Sequence, residues 1–99
     1  MNETIFTEIL TKYGFNVDRG LADWTGAGDL YIAVAAYDPD DEYGAEVCTL
    51  LKNIDGKLIP DATKYVQTAE ELEHACAVLN LQIKEFLEQI KLEQINSDF

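Results

Sequence analysis

Apolar residues near the N-terminus recur at the spacing of one helix face. The members of this stripe are Ile5, Phe6, Ile9, Leu10 and Tyr13. Residues at these intervals share one side of a 3.6-residue helix, which predicts an amphipathic helix that buries one face. Asn2 is a suitable N-cap residue, and Gly14 favours the left-handed conformation that ends a helix. We therefore predict a first helix that ends at about Tyr13.

The stretch from residue 15 to residue 28 has no clear period. Val17, Leu21 and their polar neighbours Arg19 and Asp23 have the two-residue spacing of a short edge strand. The glycines at 20, 26 and 28 favour a loop instead. Both interpretations stay open.

Three strands are predicted in the middle of the chain. The segment 30–37 (LYIAVAAY) alternates strictly and contains almost no polar residue, so we expect a central strand covered on both faces. One of its faces comprises Leu30, Ile32 and Val34, and the other comprises Tyr31, Ala33, Ala35 and Tyr37. A second strand spans 46–54. The type I′ dipeptide Asp55-Gly56 then predicts a tight turn into a third strand, Lys57 to Ile59, which ends at Pro60.

A long helix is predicted for the last third of the chain. Thr68 and Glu71 form a capping box, and no helix breaker occurs between Ala69 and about Asn96. The apolar residues of this segment follow heptad steps: Leu72, Cys76, Leu79, Ile83, Phe86 and Ile90. The predicted fold is therefore α+β with the order α-β-β-β-α. A three-stranded, mostly antiparallel sheet packs against a long C-terminal helix in a single domain of residues 1–99.

The long helix is longer than its predicted sheet. Twenty-eight residues make a rod of roughly 42 Å, whereas an eight-residue strand spans about 27 Å. The overhanging part is apolar and contains Leu87, Ile90, Leu92 and Ile95. Either the first helix folds back over this part, or a second copy of the chain covers it. We favour a homodimer, because one short helix can hardly cover both apolar faces of the overhang.

The charge excludes several classes of function. The 99 residues carry 19 acidic and 7 basic side chains, a formal charge of −12. Such a protein is repelled by nucleic-acid phosphates and by anionic membranes, so we expect no direct nucleic-acid partner and no membrane partner. The segment MNETIFTEIL does not resemble a secretory signal, and two irregularly spaced cysteines suit a reducing compartment, so we expect a cytoplasmic protein.

Groups that carry chemistry are few. Ser97 is the only serine, and Cys48 lies in an apolar strand where a small buried hydrophobe is the usual role. His74 has no metal-ligand spacing to a second histidine or to a cysteine pair. The loop 38–44 begins like a calcium-binding loop, but Tyr43 stands where glycine is needed and Thr49 where glutamate is needed. We therefore expect no catalytic residue, no cofactor and no structural metal, and weak divalent-cation binding by the loop stays open.

The acidic surface remains as the candidate site. We predict partner contacts at Asp38, Asp40, Asp41, Glu42, Glu46, Glu85 and Glu88. Carboxylates in this density suit a basic groove on another protein, so we expect a non-enzymatic inhibitor or adaptor that mimics nucleic-acid charge. By composition alone, the chain is similar to small phage and mobile-element proteins that block nucleic-acid enzymes. The alternatives are a small metal-dependent or Cys48/His74 enzyme and a plain dimeric structural subunit.

Overall fold

The computed structural model describes residues 1–26, 30–40 and 44–97, with side chains to residue 92. Its elements are α1 (Glu3–Lys12), β1 (Asn16–Asp18), β2 (Leu21–Thr25), β3 (Tyr31–Asp38), β4 (Gly44–Ile54), β5 (Lys57–Val66) and α2 (Ala69–Ser97). The strands form one antiparallel sheet in chain order. The predicted α+β class and the long helix packed on an antiparallel sheet are confirmed, but the described sheet has five strands instead of three.

The two additional strands, β1 and β2, come from the stretch without a clear period. They are joined by a two-residue turn in which Arg19 (φ 52°) and Gly20 (φ 77°) both have positive φ. Positive φ at both positions is the type I′ pattern that suits a hairpin. Arginine is not a typical residue for its first position, so the sequence gives little sign of the turn.

The third predicted strand is much longer than expected, because β5 continues through Pro60 to Val66. β5 lies at the edge of the sheet, where a missing backbone N–H is tolerated. Pro60 also pairs with Leu51 at a register shift in β4. The prediction that Pro60 ends the strand was therefore wrong.

A β-bulge in β3 changes which residues share a face. Ala22 pairs with Ala35 and Asp23 pairs with Ala33, so Val34 is the extra residue between them. Beyond this point the alternation shifts by one position. Tyr37 therefore reaches the ring of Phe6 on α1, with 5.8 Å between the ring centroids, instead of sharing the face of Tyr31.

Both helices pack on one face of the sheet, here called the helix side. Ile32 and Val34 of β3 are buried on the helix side, whereas Tyr31 and Ala33 are exposed on the opposite face, here called the open face. The expectation that β3 is covered on both faces was therefore wrong. Every member of the predicted heptad seam of α2 contributes to this core, Ile90 as a half-buried residue at its edge.

Side-chain hydrogen bonds define the helix ends. The Asn2 side chain accepts from the Ile5 amide at 2.9 Å, as expected of an N-cap. Thr68 Oγ1 accepts from the Glu71 amide at 3.2 Å and donates to its carboxylate at 3.1 Å. Gly14 has φ 87°, the left-handed conformation predicted for the end of α1.

The first helix does not cover the overhang of α2. Its described polar contacts to α2 are Lys12 Nζ to the Glu73 carboxylate at 2.7 Å and Asn80 Nδ2 to the Tyr13 carbonyl at 3.0 Å. Both partners lie in the first half of α2. Leu92 in the overhang is 61% exposed, so α1 is not its partner.

Candidate functional site

Acidic residues gather at one end of the sheet, here called the acidic end. In an antiparallel sheet in chain order, the β1–β2 turn, the β3–β4 connection and the junction from β5 to α2 all meet at the same end. The Tyr37 amide donates to the Gly20 carbonyl at 2.7 Å, which ties the end of β3 to the β1–β2 turn. The Glu3 carboxylate lies beside Gly20, so the start of α1 also belongs to the acidic end. The described members of the acidic end are Glu3, Asp18, Asp38, Asp40, Glu70 and Glu71.

Few cations neutralise these carboxylates. Among the described side chains, the two ion pairs join Lys12 to Glu73 and Lys64 Nζ to Glu71 at 4.0 Å, and both are largely exposed. The pair of Lys64 and Glu71 is long and exposed, so it neutralises little of the charge of Glu71. Arg19 in the β1–β2 turn is the one further cationic side chain described among these six carboxylates, so the acidic end keeps a net negative charge. The positive N-terminal ends of α1 and α2 reduce its negative field only in part.

The predicted contact residues do not form one surface. Asp38 and Asp40 lie at the acidic end, where the Asp38 carboxylate accepts from the Asp40 amide at 2.9 Å. Glu46 points to the open face, opposite Tyr65. Glu85 and Glu88 lie more than 20 Å farther along α2, at about 1.5 Å of helix per residue. The predicted contacts at Asp41 and Glu42 lie outside the described residues.

A cavity that the sequence did not predict lies next to the acidic end. It has a volume of about 440 Å³ and lies on the helix side, between α2 and the edge strand β5. Its walls are mainly apolar, and the carboxylates of Glu70 and Glu71 stand at its rim. The lining residues are Thr49, Lys64, Val66, Glu70, Glu71, His74, Ala75 and Val78. Val78 is apolar but lies off the heptad seam of α2, and this is the sequence signal that could have indicated the wall.

Cys48 and His74 do not form a catalytic pair. Cys48 is 2% exposed and lines a cavity on the open face with Ala33, whereas His74 lines the cavity on the helix side. The sheet separates them. Burial also raises the pKa of the Cys48 thiol and raises the pKa of Cys76 to about 12, which disfavours the nucleophilic thiolate at both positions.

The described residues contain no group of three or more histidine, cysteine, aspartate or glutamate side chains placed to hold a metal ion. Trp24, the single tryptophan of the sequence, is half-buried and packs against the core. In the part of the chain that the structure describes, no helix is both long enough and apolar enough to span a membrane.

The residues predicted for dimerisation lie on different sides of α2. Ile90 is half-buried against the core, whereas Leu87 and Leu92 are exposed. Leu92 shares its helix face with Val78 and Leu81, which are also exposed. The side chain of Ile95 lies outside the described residues.

The chain matches no family model, no curated protein and no solved structure in comparisons with known proteins. Its function has to be inferred from its own surfaces.

Proposed function

We propose that the protein is a non-enzymatic, cytoplasmic protein-binding module that inserts its acidic end into a basic groove of a partner. In this role it acts as an inhibitor or adaptor that occupies a site otherwise used by nucleic acid. The observation that carries the proposal is the convergence of carboxylates from α1, the β1–β2 turn, the β3–β4 connection and the start of α2.

The backbone around these carboxylates supports a rigid contact surface. Asp18 precedes a tight hairpin turn, and the hydrogen bond between the Asp38 carboxylate and the Asp40 amide fixes the start of the β3–β4 connection. Glu70 and Glu71 stand on the capped first turn of α2. Charges held on such elements lose little conformational entropy on binding, so they favour fast, electrostatically steered association.

The neighbouring cavity supports the same proposal. Its wall of Val66, Ala75 and Val78 provides an apolar contact immediately beside Glu70 and Glu71. A partner with a basic groove and one apolar side chain at the rim would satisfy both features. The carboxylates would then set the association rate, and the apolar contact would slow dissociation.

The test compares two variants with the same change in net charge. The variant Asp18→Asn/Asp40→Asn/Glu70→Gln removes three charges from the acidic end and spares both Asp38 and Glu71, which make hydrogen bonds. The control variant Asp55→Asn/Glu85→Gln/Glu88→Gln removes three charges from elsewhere. The wild type and both variants are immobilised and exposed to a nuclease-treated cell extract at low salt. Bound proteins are then eluted with a salt gradient.

We expect the wild type and the control to retain a basic protein that competing duplex DNA or RNA displaces. Elution should occur below about 0.5 M salt, because exposed charge pairs are screened at that ionic strength. The acidic-end variant should lose this retention. Equal loss in both variants, or a retained protein that neither salt nor nucleic acid releases, contradicts the proposal.

A further inference from the structure

The open face of the sheet carries large apolar side chains that no helix covers. Two of them are the most exposed large hydrophobic residues in the described chain, Leu21 at 63% and Tyr31 at 62%. Five such side chains come from four adjacent strands: Leu21, Tyr31, Leu50, Ile59 and Tyr65. Isolated exposed apolar residues are ordinary, but Tyr31 lines one cavity with Leu21 and another with Ile59, and neighbouring apolar residues of this kind mark an interaction surface.

The same face also contains a recess. A cavity of about 290 Å³ lies among the small residues Ala33 and Ala36 and the buried thiol of Cys48, with Tyr31 at its margin. Small side chains in the centre and large ones around them make the surface self-complementary. A projecting ring such as Tyr31 in one molecule can enter the recess of an identical molecule, which is the requirement for a two-fold interface.

We propose that the open face binds a second copy of this chain, so that the two sheets stack face to face in a homodimer. The five large side chains leave roughly 500–600 Å² exposed between them, judged from the size of such residues. A stable interface buries about 800 Å² on each partner. The small residues of the recess and the polar rim supply the remainder, so one copy of the same face provides the area that is needed.

Charge determines how the two copies are oriented. Each copy carries −12, so acidic ends placed side by side would repel each other. A two-fold axis that crosses the strands puts the two acidic ends at opposite ends of the dimer. It also brings the half of β4 that contains Lys52 over the half of the partner's β4 that contains Glu46. Lys52 lies opposite Ile59 and therefore on the open face.

The dimer is distinct from the helix-mediated dimer that the sequence predicted, and four variants separate them. Tyr31→Glu and Leu50→Glu place a charge on the open face at positions that are already exposed. Leu81→Glu and Leu92→Glu place the same charge on the uncovered face of α2. Molar mass is measured by light scattering at about 100 μM, well above the micromolar dissociation constants of ordinary dimers. Circular dichroism verifies that each variant is folded.

We expect the wild type and both α2 variants to be dimers and both open-face variants to be monomers. The Cys48 thiol provides a second measurement that needs no charge on either candidate face. Its alkylation in the Cys76→Ala protein should slow as protein concentration rises, because the partner covers the recess. Raising salt should strengthen this dimer, since the two copies repel, whereas it should weaken the partner binding proposed above.

A wild-type chain that stays monomeric at this concentration overturns the inference. So does a dimer that survives both open-face substitutions, or one that only the α2 substitutions dissociate. The acidic-end variant Asp18→Asn/Asp40→Asn/Glu70→Gln should still dimerise, so failure of the partner-binding proposal would leave this inference intact.

Discussion

The side chain of Gln82 on α2 binds the backbone of β4 on both sides of Leu50. Its Oε1 accepts from the Leu51 amide at 2.8 Å, and its Nε2 donates to the Thr49 carbonyl at 3.0 Å. β3 pairs with β4 only as far as Val47, so Thr49 and Leu51 have no β3 residue as a backbone partner. The amide of Gln82 thus makes the two hydrogen bonds that a residue of a neighbouring strand would make.

Replacing Gln82 by methionine should destabilise the fold. Methionine has a similar size but leaves the Leu51 amide and the Thr49 carbonyl without partners in a half-buried position. We expect a loss of about 2 to 3 kcal/mol in the free energy of unfolding, measured by urea denaturation. Gln89→Met, on the exposed part of the same helix, is the matched control and should change stability by less than about 0.5 kcal/mol. Equal effects at the two positions would contradict the role of Gln82.

The contact between α1 and α2 should depend more on Asn80 than on the ion pair of Lys12. Asn80 donates to the Tyr13 carbonyl at the end of α1, a half-buried group, so Asn80→Ala should cost about 1 to 2 kcal/mol. Lys12 and Glu73 are both solvent-accessible, so Lys12→Met should cost less than about 1 kcal/mol. Thermal unfolding of the two variants tests this order, and the reverse order would refute it.

Cys76 should make the protein less stable at alkaline pH. Burial raises the pKa of Cys76 from 9.0 to about 12 in the folded chain, so its stabilising contribution is complete below pH 9. Above pH 9 the unfolded chain loses this proton while the folded chain keeps it, so stability falls as pH rises towards 12. At 1.36 kcal/mol per pKa unit, the loss is at most about 4 kcal/mol.

The measurement for Cys76 is the urea midpoint between pH 8 and pH 11, at intervals of about half a unit, in wild type and Cys76→Ala. The variant begins from a lower stability because it has a cavity, but its decline with pH should be shallower. Parallel curves would show that Cys76 does not cause the decline.

Gly44 and Tyr65 should be energetically coupled. A Cβ atom on Gly44 would collide with the ring of Tyr65, which lies over it on the open face. Gly44→Ala should therefore cost about 1 to 3 kcal/mol, the range for forced repacking. Most of this cost should disappear in the Tyr65→Ala background, where the ring is absent. A double-mutant cycle with no coupling energy would contradict the close approach.

Local signals in the sequence were sufficient for the helices. The Asn2 cap, the Thr68–Glu71 box and the heptad seam of α2 depend on residues close together in the chain, and the structure confirms all three. The Asp55-Gly56 turn was equally local and is also confirmed, with positive φ at both residues.

Features that depend on partners distant in sequence could not be predicted in this way. Pro60 was assigned as a strand end because its position at the sheet edge depends on the order of all five strands. The bulge at Val34 exists only in the pairing with β2, so strict alternation assigned Tyr37 to the wrong face. The convergence at the acidic end likewise required the topology, whereas the individual carboxylates were visible from the start.

The attachment of β4 to α2 has a consequence for how the molecule opens. The half of the β4–β5 hairpin nearest the Asp55-Gly56 turn is attached to α2 by Gln82 and by the burial of Leu58 near Phe86, and this half of β4 has no backbone pairing with β3. Hairpin and C-terminal helix should therefore come apart in one cooperative event, seen as a shared rate of amide hydrogen exchange. If a protease removed α2, the β4–β5 hairpin would lose this attachment and open, although it lies upstream of the cut. The pairing of β1 with β2 would remain.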